Sequence, residues 1–337
     1  MAVAEGCVRT VARPFKFRRG RTSAGEPRRC AGVVLSLRRS AGSLLAAALT
    51  ALAAAPAGAA GSYSLAPHKD ELFAYQNVLK SEYGGDFLLV DYDRPRDLYS
   101  RDAVKLEKVK PEYVDLATEA AETDLALTVG GRKVVYTAVG RFDGNAKAIV
   151  IFLHGRGTNR QSGASDWIHG GNFNRVKNLM MRNDGLYISA DFSDFGRRGT
   201  AEIKALLLHE AELSPGAPVF LACGSWGGKI CWRLIYDADT APLIKGMMLL
   251  DSVVDDAFIA QAARMDPAAR PAIGISASME DWVVGYRSQV AFFEKMKSAV
   301  PDYPIRFVLF DEGTHGISLR MTDWRQVLNW MLAAKGY

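Results

Sequence analysis

The sequence has little of what metal and nucleotide sites require. Its 337 residues contain four cysteines and five histidines, and beyond residue 59 these do not cluster at metal-ligand spacing. No Gly-x-Gly-x-x-Gly follows an apolar strand pattern, and no Walker-type loop occurs. Metal, dinucleotide and nucleotide chemistry therefore find no support, and we expect neither a metal nor a cofactor.

The sequence also lacks a basic domain, although its formal net charge is +5. Residues 1–59 hold ten Lys or Arg residues and two Glu residues, and this net +8 leaves −3 for the rest of the chain. A nucleic-acid-binding domain would carry the basic residues on its folded part. We therefore expect no nucleic-acid partner.

Residues 1–59 are typical of a leader that ends in a secretory signal peptide. Arg38 and Arg39 precede an apolar run over 44–55, and small residues follow up to Ala59, where we expect cleavage. The run is shorter than the ~20 residues of a spanning helix, so we expect a periplasmic or secreted protein without a stable membrane anchor. Residues 1–32 are long for the segment before such a run, which favours a translation start near residues 33–34.

Two cysteines, Cys223 and Cys231, remain beyond this leader. The first ends an apolar strand pattern, and the second is placed two turns into a helical pattern. This separation predicts buried free thiols instead of a disulfide. On that prediction the cysteines give no indication of the redox compartment.

Residues 60–122 have weak patterning and are predicted to form an N-terminal extension, with a short helix over 69–81 and a strand over 87–90. Over residues 123–337, strand patterns alternate with helical patterns, which is typical of a sheet covered by helices on both faces. The predicted strands span 125–129, 133–139, 148–154, 185–190, 219–223, 246–250, 272–277 and 305–310. The predicted helices span 173–181, 201–211, 227–236, 286–299 and 323–334.

This alternation predicts the α/β class, with a single doubly wound, mostly parallel sheet over residues 123–337. Only 20 residues separate the strand ending at Leu250 from Pro271. We therefore expect no large lid at that position.

The segment Cys223-Gly224-Ser225-Trp226-Gly227-Gly228 lies between a strand pattern and a helical pattern. A serine becomes a useful nucleophile where a sharp strand-to-helix turn presents its hydroxyl to a base, and small neighbours permit that turn. The segment resembles the nucleophile elbow of α/β hydrolases, Gly-x-Ser-x-Gly, with Cys223 in place of the first glycine. The resemblance covers about residues 123–335 and implies an α/β-hydrolase fold with Ser225 as nucleophile.

In this family an acid and then a histidine follow the nucleophile, each after a strand. His315 is the only histidine C-terminal to Ser225 and follows the strand at 305–310, so the resemblance implies that it is the general base. Asp281, after the strand at 272–277, resembles the family's acid. Glu280 beside it and Asp251, after the strand at 246–250, remain alternatives.

The resemblance further implies an oxyanion hole made of two backbone N–H groups. One should belong to Trp226, which follows the nucleophile. The other should come from the segment His154-Gly155-Arg156-Gly157 after a central strand, where we favour the N–H of Arg156.

Together these features predict a serine hydrolase that acts on a small-molecule ester-type substrate through an acyl-enzyme intermediate. A hydrolase-fold protein that only binds a ligand or partner is the alternative. Labelling by an active-serine phosphonate separates the two.

Overall fold

A computed structural model of the chain describes residues 62–103 and 108–337. The predicted leader and its cleavage site lie outside these residues. Within the described ranges, no helix is long and apolar enough to cross a membrane.

Ten strands form one sheet in the described residues, and two short strands pair separately. The sheet strands are β1 (Val78–Glu82), β2 (Phe87–Val90), β5 (Glu122–Val129), β6 (Arg132–Gly140), β7 (Ile149–Leu153), β8 (Leu186–Ala190), β9 (Val219–Gly224), β10 (Ile244–Leu250), β11 (Ala272–Ser278) and β12 (Ile305–Phe310). The separate pair is β3 (Asp102–Ala103) and β4 (Lys108–Val109).

The sheet is mostly parallel. Its order is β1-β2-β12-β11-β10-β9-β7-β8-β6-β5, and the contiguous strands from β2 to β8 all run parallel to their neighbours. Antiparallel pairing is confined to the two ends, where β1 joins β2 and where β6 joins β8 and β5. Strands in the middle, such as β7 and β9, are buried along their whole length, as expected where helices cover both faces.

Helices cover both faces of this sheet. They are α1 (Asp70–Phe73), α2 (Gln161–Ala164), α3 (Asn172–Arg182), α4 (Arg197–Leu213), α5 (Gly228–Tyr236), α6 (Ala257–Ala262), α7 (Tyr286–Ala299), α8 (Ile317–Met321) and α9 (Trp324–Ala334). Apolar residues of α4, α5 and α7 belong to one core cluster, and those of α3 and α9 belong to a second. The predicted doubly wound α/β sheet is confirmed.

The segment after β10 agrees with the prediction of no large lid. Between Leu250 and Ala272 the chain forms only the six-residue helix α6 and a single helical turn at Pro267–Ala269. The carboxyl ends of the neighbouring strands are therefore not covered from this segment.

The predicted strand at 87–90 is confirmed, but the helix predicted over 69–81 is wrong. Helix α1 ends at Phe73, and Ala74 is already extended. Residues Val78–Glu82 instead pair with β2 in an antiparallel ladder at the edge of the sheet. Pairing with a neighbouring strand outweighs a weak local helical pattern, because propensity is only a weak prior.

The prediction of free thiols is also wrong, because Cys223 and Cys231 form a disulfide. Helix α5 begins at Gly228, so Cys231 lies in its first turn and not two turns along it. Its Cα lies 6.4 Å from that of Cys223 at the end of β9, within disulfide reach. The bond closes the strand-to-helix turn around Ser225, and both cysteines are fully buried.

We predict that this disulfide stabilises the folded chain. A crosslink across so short a loop contributes about 2 kcal/mol to the free energy of unfolding. The Cys223→Ala/Cys231→Ala variant should therefore unfold several degrees below the parent in a thermal melt. Reductant should lower the melting temperature of the parent and leave that of the variant unchanged.

A peptide map after unfolding without reductant checks the bond itself. Cys223 and Cys231 should resist alkylation and appear in linked peptides. Full alkylation of both, with a parent melt insensitive to reductant, would contradict the disulfide.

Candidate active site

Ser225 occupies a sharp turn between β9 and α5. Its φ of +48° lies in the left-handed region, where a non-glycine residue is strained and where such strain is concentrated at functional sites. The hydroxyl of Ser252 donates to the Ser225 carbonyl oxygen at 2.6 Å and so ties the turn to the loop after β10. The turn places the half-buried Ser225 side chain at the carboxyl edge of the sheet.

Gly227 allows this turn to pass close to the neighbouring strand. A Cβ atom at this position would lie 2.3 Å from the carbonyl oxygen of Leu153, the last residue of β7. A Cβ on Gly228 would come equally near the hydroxyl oxygen of Ser252. Close backbone packing therefore requires glycine at 227, and a side chain at 228 would displace Ser252.

The imidazole of His315 lies between a serine hydroxyl and a carboxylate. Its Nε2 is 3.0 Å from the Oγ of Ser225, and its Nδ1 is 2.8 Å from Oδ2 of Asp281. Because an ionised carboxylate can only accept, Nδ1 carries the proton, and Nε2 is free to accept the serine proton. The structure thus brings together three side chains that follow β9, β11 and β12.

Asp281 is the one of the three acid candidates that contacts His315. Its other oxygen, Oδ1, accepts hydrogen bonds from the N–H groups of Val283 at 2.7 Å and Val284 at 2.9 Å. The side chain is buried, whereas Glu280 beside it is exposed. These two hydrogen bonds from backbone amides fix the carboxylate so that its second oxygen points at the imidazole.

Asp251 lies behind the histidine loop and holds its backbone. Its Oδ2 accepts from the N–H of Gly316 at 2.8 Å and from that of Ser318 at 3.1 Å. Burial, together with the charge of Asp281, raises the pKa of Asp251 to about 6, although hydrogen bonds from Ser318 and Gly316 oppose this shift. Sequence reasoning missed this holding role and offered Asp251 only as a rival acid.

Ligand-type atoms of Asp251, Asp281 and His315 lie within 4.8 Å of one another. The carboxylate oxygens nearest the imidazole already accept hydrogen bonds from the imidazole, from backbone amides and from Ser278 Oγ at 3.3 Å. A cation at this position would have to replace those bonds. These three side chains therefore fit a hydrogen-bonded arrangement around the imidazole better than a metal site.

The pKa of His315 is raised above its ordinary value. Partial burial lowers it, but the hydrogen bond and charge of Asp281, with a smaller contribution from Asp251, outweigh the burial. A stronger base is better able to take a proton from serine, provided that the imidazole is neutral at the working pH.

The loop after β7 lies directly against Ser225. A Cβ on Gly155 would lie 3.0 Å from the Cβ of Ser225 and 3.6 Å from its Oγ. Within residues 62–103 and 108–337, the N–H of Arg156 makes no hydrogen bond. Trp226 stands in the first turn after the strand, where N–H groups have no partner inside the helix.

The side chains of the two predicted oxyanion residues are in contact. The guanidinium carbon of Arg156 lies 5.0 Å from the centre of a Trp226 ring, and the Nζ of Lys229 lies 3.5 Å from one. Such cation–π contacts stabilise ring and loop by about 0.5–1 kcal/mol each at exposed positions. The Arg156 contact joins the loop after β7 to the turn that carries Ser225.

His154 has a packing role at the base of this loop. It is buried, its ring stacks on Phe192 with centroids 4.2 Å apart, and its Nδ1 lies 2.9 Å from the Gly155 carbonyl oxygen. Burial lowers its pKa. A neutral imidazole here supports the shape of the loop that borders Ser225.

The strand order and the sharp turn at Ser225 after a central strand define an α/β-hydrolase fold. No protein-family model matches the chain, and no curated protein matches it. Among solved structures, it is similar to an esterase of Pyrococcus furiosus at 14% identity, with 68% of this chain and 96% of that chain covered and a TM-score of 0.48.

A second similar structure is an alpha-beta serine hydrolase homologue from Coxiella burnetii. The identity is 16%, the coverage is 61% of this chain and 95% of that chain, and the TM-score is 0.44. At these identities and TM-scores no role is transferred from either protein. What the site can do follows from the geometry of this chain alone.

We predict that the pH dependence of any activity at this site reports the raised pKa of His315. Neutral imidazole is the active form, so kcat/KM should rise with pH through a midpoint above about 6.5, the ordinary histidine value. Asp281→Asn removes the charge that raises this pKa, so the midpoint should move to lower pH. It should also reduce kcat by about 10⁴, as loss of the acid does in a well-studied triad.

The measurement is kcat/KM against pH for the parent and Asp281→Asn, with Glu280→Gln as the matched control. The control should keep both the rate and the midpoint of the parent. An unchanged midpoint in Asp281→Asn would contradict the assignment of the imidazole's partner.

Proposed function

We propose that the chain is a serine hydrolase of carboxylic esters, with Ser225 as nucleophile, His315 as general base and Asp281 as the acid. The observation that carries this proposal is the continuous hydrogen-bond path from Ser225 Oγ through His315 to Asp281. Glu280 does not touch the imidazole, and Asp251 is occupied by backbone amides of the histidine loop. Asp281 is therefore the acid we assign.

In the first half of the reaction, Ser225 Oγ attacks the ester carbonyl carbon while His315 Nε2 takes the hydroxyl proton. The carbonyl oxygen becomes an oxyanion, for which the N–H groups of Trp226 and Arg156 are the donors we propose. Asp281 accepts from Nδ1 and stabilises the imidazolium. The imidazolium then gives its proton to the alkoxide as the C–O bond breaks, which leaves an acyl-serine and a free alcohol.

In the second half, a water molecule takes the place of the alcohol. His315 removes a proton from this water, which attacks the acyl carbon, and the oxyanion is held by the same two N–H groups. Collapse of this intermediate breaks the bond to Ser225 Oγ, which regains its proton from His315. The free carboxylic acid leaves, and the enzyme is restored.

The proposal includes export to the periplasm or outside the cell after removal of residues 1–59. Its support is the signal-like pattern of that segment together with the disulfide between Cys223 and Cys231. Disulfides persist in oxidising compartments and are rare in the cytosol of mesophiles. The disulfide therefore favours an exported protein.

We predict that the chain hydrolyses a short-chain p-nitrophenyl ester with saturation kinetics. Ser225→Ala and His315→Ala should each lower kcat by about 10⁴ to 10⁶, and the double variant should lose little more, because the two residues act as one unit.

Ser288→Ala, an exposed serine on α7, and His209→Ala on α4 are the matched controls and should retain the parent rate. Parent-like turnover in Ser225→Ala or His315→Ala would show that the hydrolysis does not use this site. A protein that binds the ester without hydrolysing it would instead support the ligand-binding alternative.

A further inference from the structure

A cleft of about 510 Å³ opens beside His315, which forms part of its wall. Three aliphatic side chains line it: Leu98 from the N-terminal segment, Ile168 from the loop after α2, and Ile317 from the start of α8. Tyr99, Asp102, His169 and Arg320 also line it. Its volume lies within the range of small-molecule sites, which are mostly apolar with a few polar groups.

The position of the cleft beside His315 indicates which part of an ester substrate it would contact. The leaving oxygen must lie within hydrogen-bond reach of His315 Nε2, because that nitrogen returns the proton to the alcohol. The carbonyl oxygen must face the N–H groups of Trp226 and Arg156, and neither of these residues lines the cleft. The alcohol part of the substrate is thus directed to the His315 side, where the cleft lies.

Among the described residues that line the cleft, the polar groups offer no free negative charge to a substrate. Arg320 binds both carboxylate oxygens of Asp102, one of them at 3.0 Å, and both residues are buried. Burial, together with the charge of Arg320, lowers the pKa of His169 to about 4, so this histidine is uncharged at neutral pH. The buried guanidinium of Arg101 lies next to this region, where it donates to the Gly170 carbonyl oxygen at 2.9 Å.

We propose that this cleft binds the alcohol part of the ester substrate and selects an uncharged, apolar alcohol larger than methanol. The inference rests on the proposed function and specifies its substrate class. Leu98, Ile168 and Ile317 supply apolar contact for such a group. A cationic alcohol would lose its hydration and would find no unpaired carboxylate among the described lining residues, and burial of an uncompensated charge is costly.

The His169 backbone, which forms part of the cleft wall, has an unusual conformation. Its φ is +49°, a left-handed conformation that a histidine adopts rarely. Gly170 and Gly171, which follow it, also have positive φ. The ring of His169 packs edge-on against Phe173 with centroids 5.6 Å apart, which fixes the side chain at the border of the cleft.

The test uses acetate esters of three alcohols with the full chain: methanol, 3,3-dimethylbutanol and choline. The last two have nearly the same shape and differ in charge, because the quaternary carbon of one is an ammonium nitrogen in the other. Values of kcat/KM are divided by the rate constants for hydroxide-catalysed hydrolysis of the same esters, which removes differences in leaving-group reactivity.

On this scale the parent should prefer the 3,3-dimethylbutyl ester to both the methyl and the choline ester by about tenfold or more. Leu98→Trp fills the cleft from one side and should reduce the preference for the dimethylbutyl over the methyl ester at least about fivefold. Ile168→Trp, from another wall, should act in the same direction. Leu213→Trp, on the surface at the end of α4, is the matched control and should leave the preference unchanged.

Equal normalised rates for the three esters, or a preference that survives both tryptophan substitutions, would overturn the inference while the proposed function stands. A preference for choline would overturn it as well. Failure of the parent to hydrolyse any of the three, while it hydrolyses the p-nitrophenyl ester, would overturn the inference alone. Failure on the p-nitrophenyl ester as well would refute the proposed function, and the inference with it.

Discussion

The site depends on the parallel register of four neighbouring strands. Gly224 at the end of β9 pairs with Leu250 at the end of β10, Leu250 pairs with Ser276 in β11, and Ser278 pairs with Phe310 at the end of β12. Parallel strands end at the same edge of a sheet, and α/β sheets bind ligands at that edge. Side chains from residues 225, 251, 281 and 315 therefore meet, although they lie far apart in the chain.

Two buried carboxylates, Asp281 and Asp251, fix the position of His315 and its loop at this edge. A buried carboxylate is costly unless hydrogen bonds compensate it. Backbone amides of Val283 and Val284 bind Asp281, and amides of the histidine loop bind one oxygen of Asp251 and offset part of the cost of its burial. One acid thus orients the imidazole directly, and the other fixes the backbone that follows His315. Ser225 and Asp251 both adopt left-handed conformations, at φ +48° and +44°, so two adjacent strands end in strained residues next to the same histidine.

Much of this arrangement could be predicted from local sequence. The glycines around Ser225 indicate a tight turn, and the structure shows why a side chain at Gly227 would meet the backbone of β7. His315 is identified by chain order, since no other histidine follows the serine. The buried strands are also predictable from local sequence, because short continuous apolar runs are typical of strands covered on both faces.

Other features depend on distances that sequence does not contain. The choice among Asp281, Glu280 and Asp251 depends on which carboxylate faces the imidazole. Asp251 instead accepts a hydrogen bond from the amide of Gly316, which lies 65 residues further along the chain. The disulfide contradicts the prediction of free thiols because Cys231 lies in the first turn of α5, with its Cα 6.4 Å from that of Cys223, and not two turns along the helix. The strand Val78–Glu82 was missed because its partner, β2, supplies the pairing. Each error concerns a tertiary contact that overrides a local pattern.

The most direct test of the central claim is the reaction of the folded chain with a fluorophosphonate, followed by intact mass and peptide mapping. If His315 activates Ser225, one phosphonyl group should attach to each chain on the peptide that contains Ser225. Labelling should be absent in Ser225→Ala and slowed by orders of magnitude in His315→Ala. A folded chain that remains unlabelled, or that carries the group on another residue, would contradict the account.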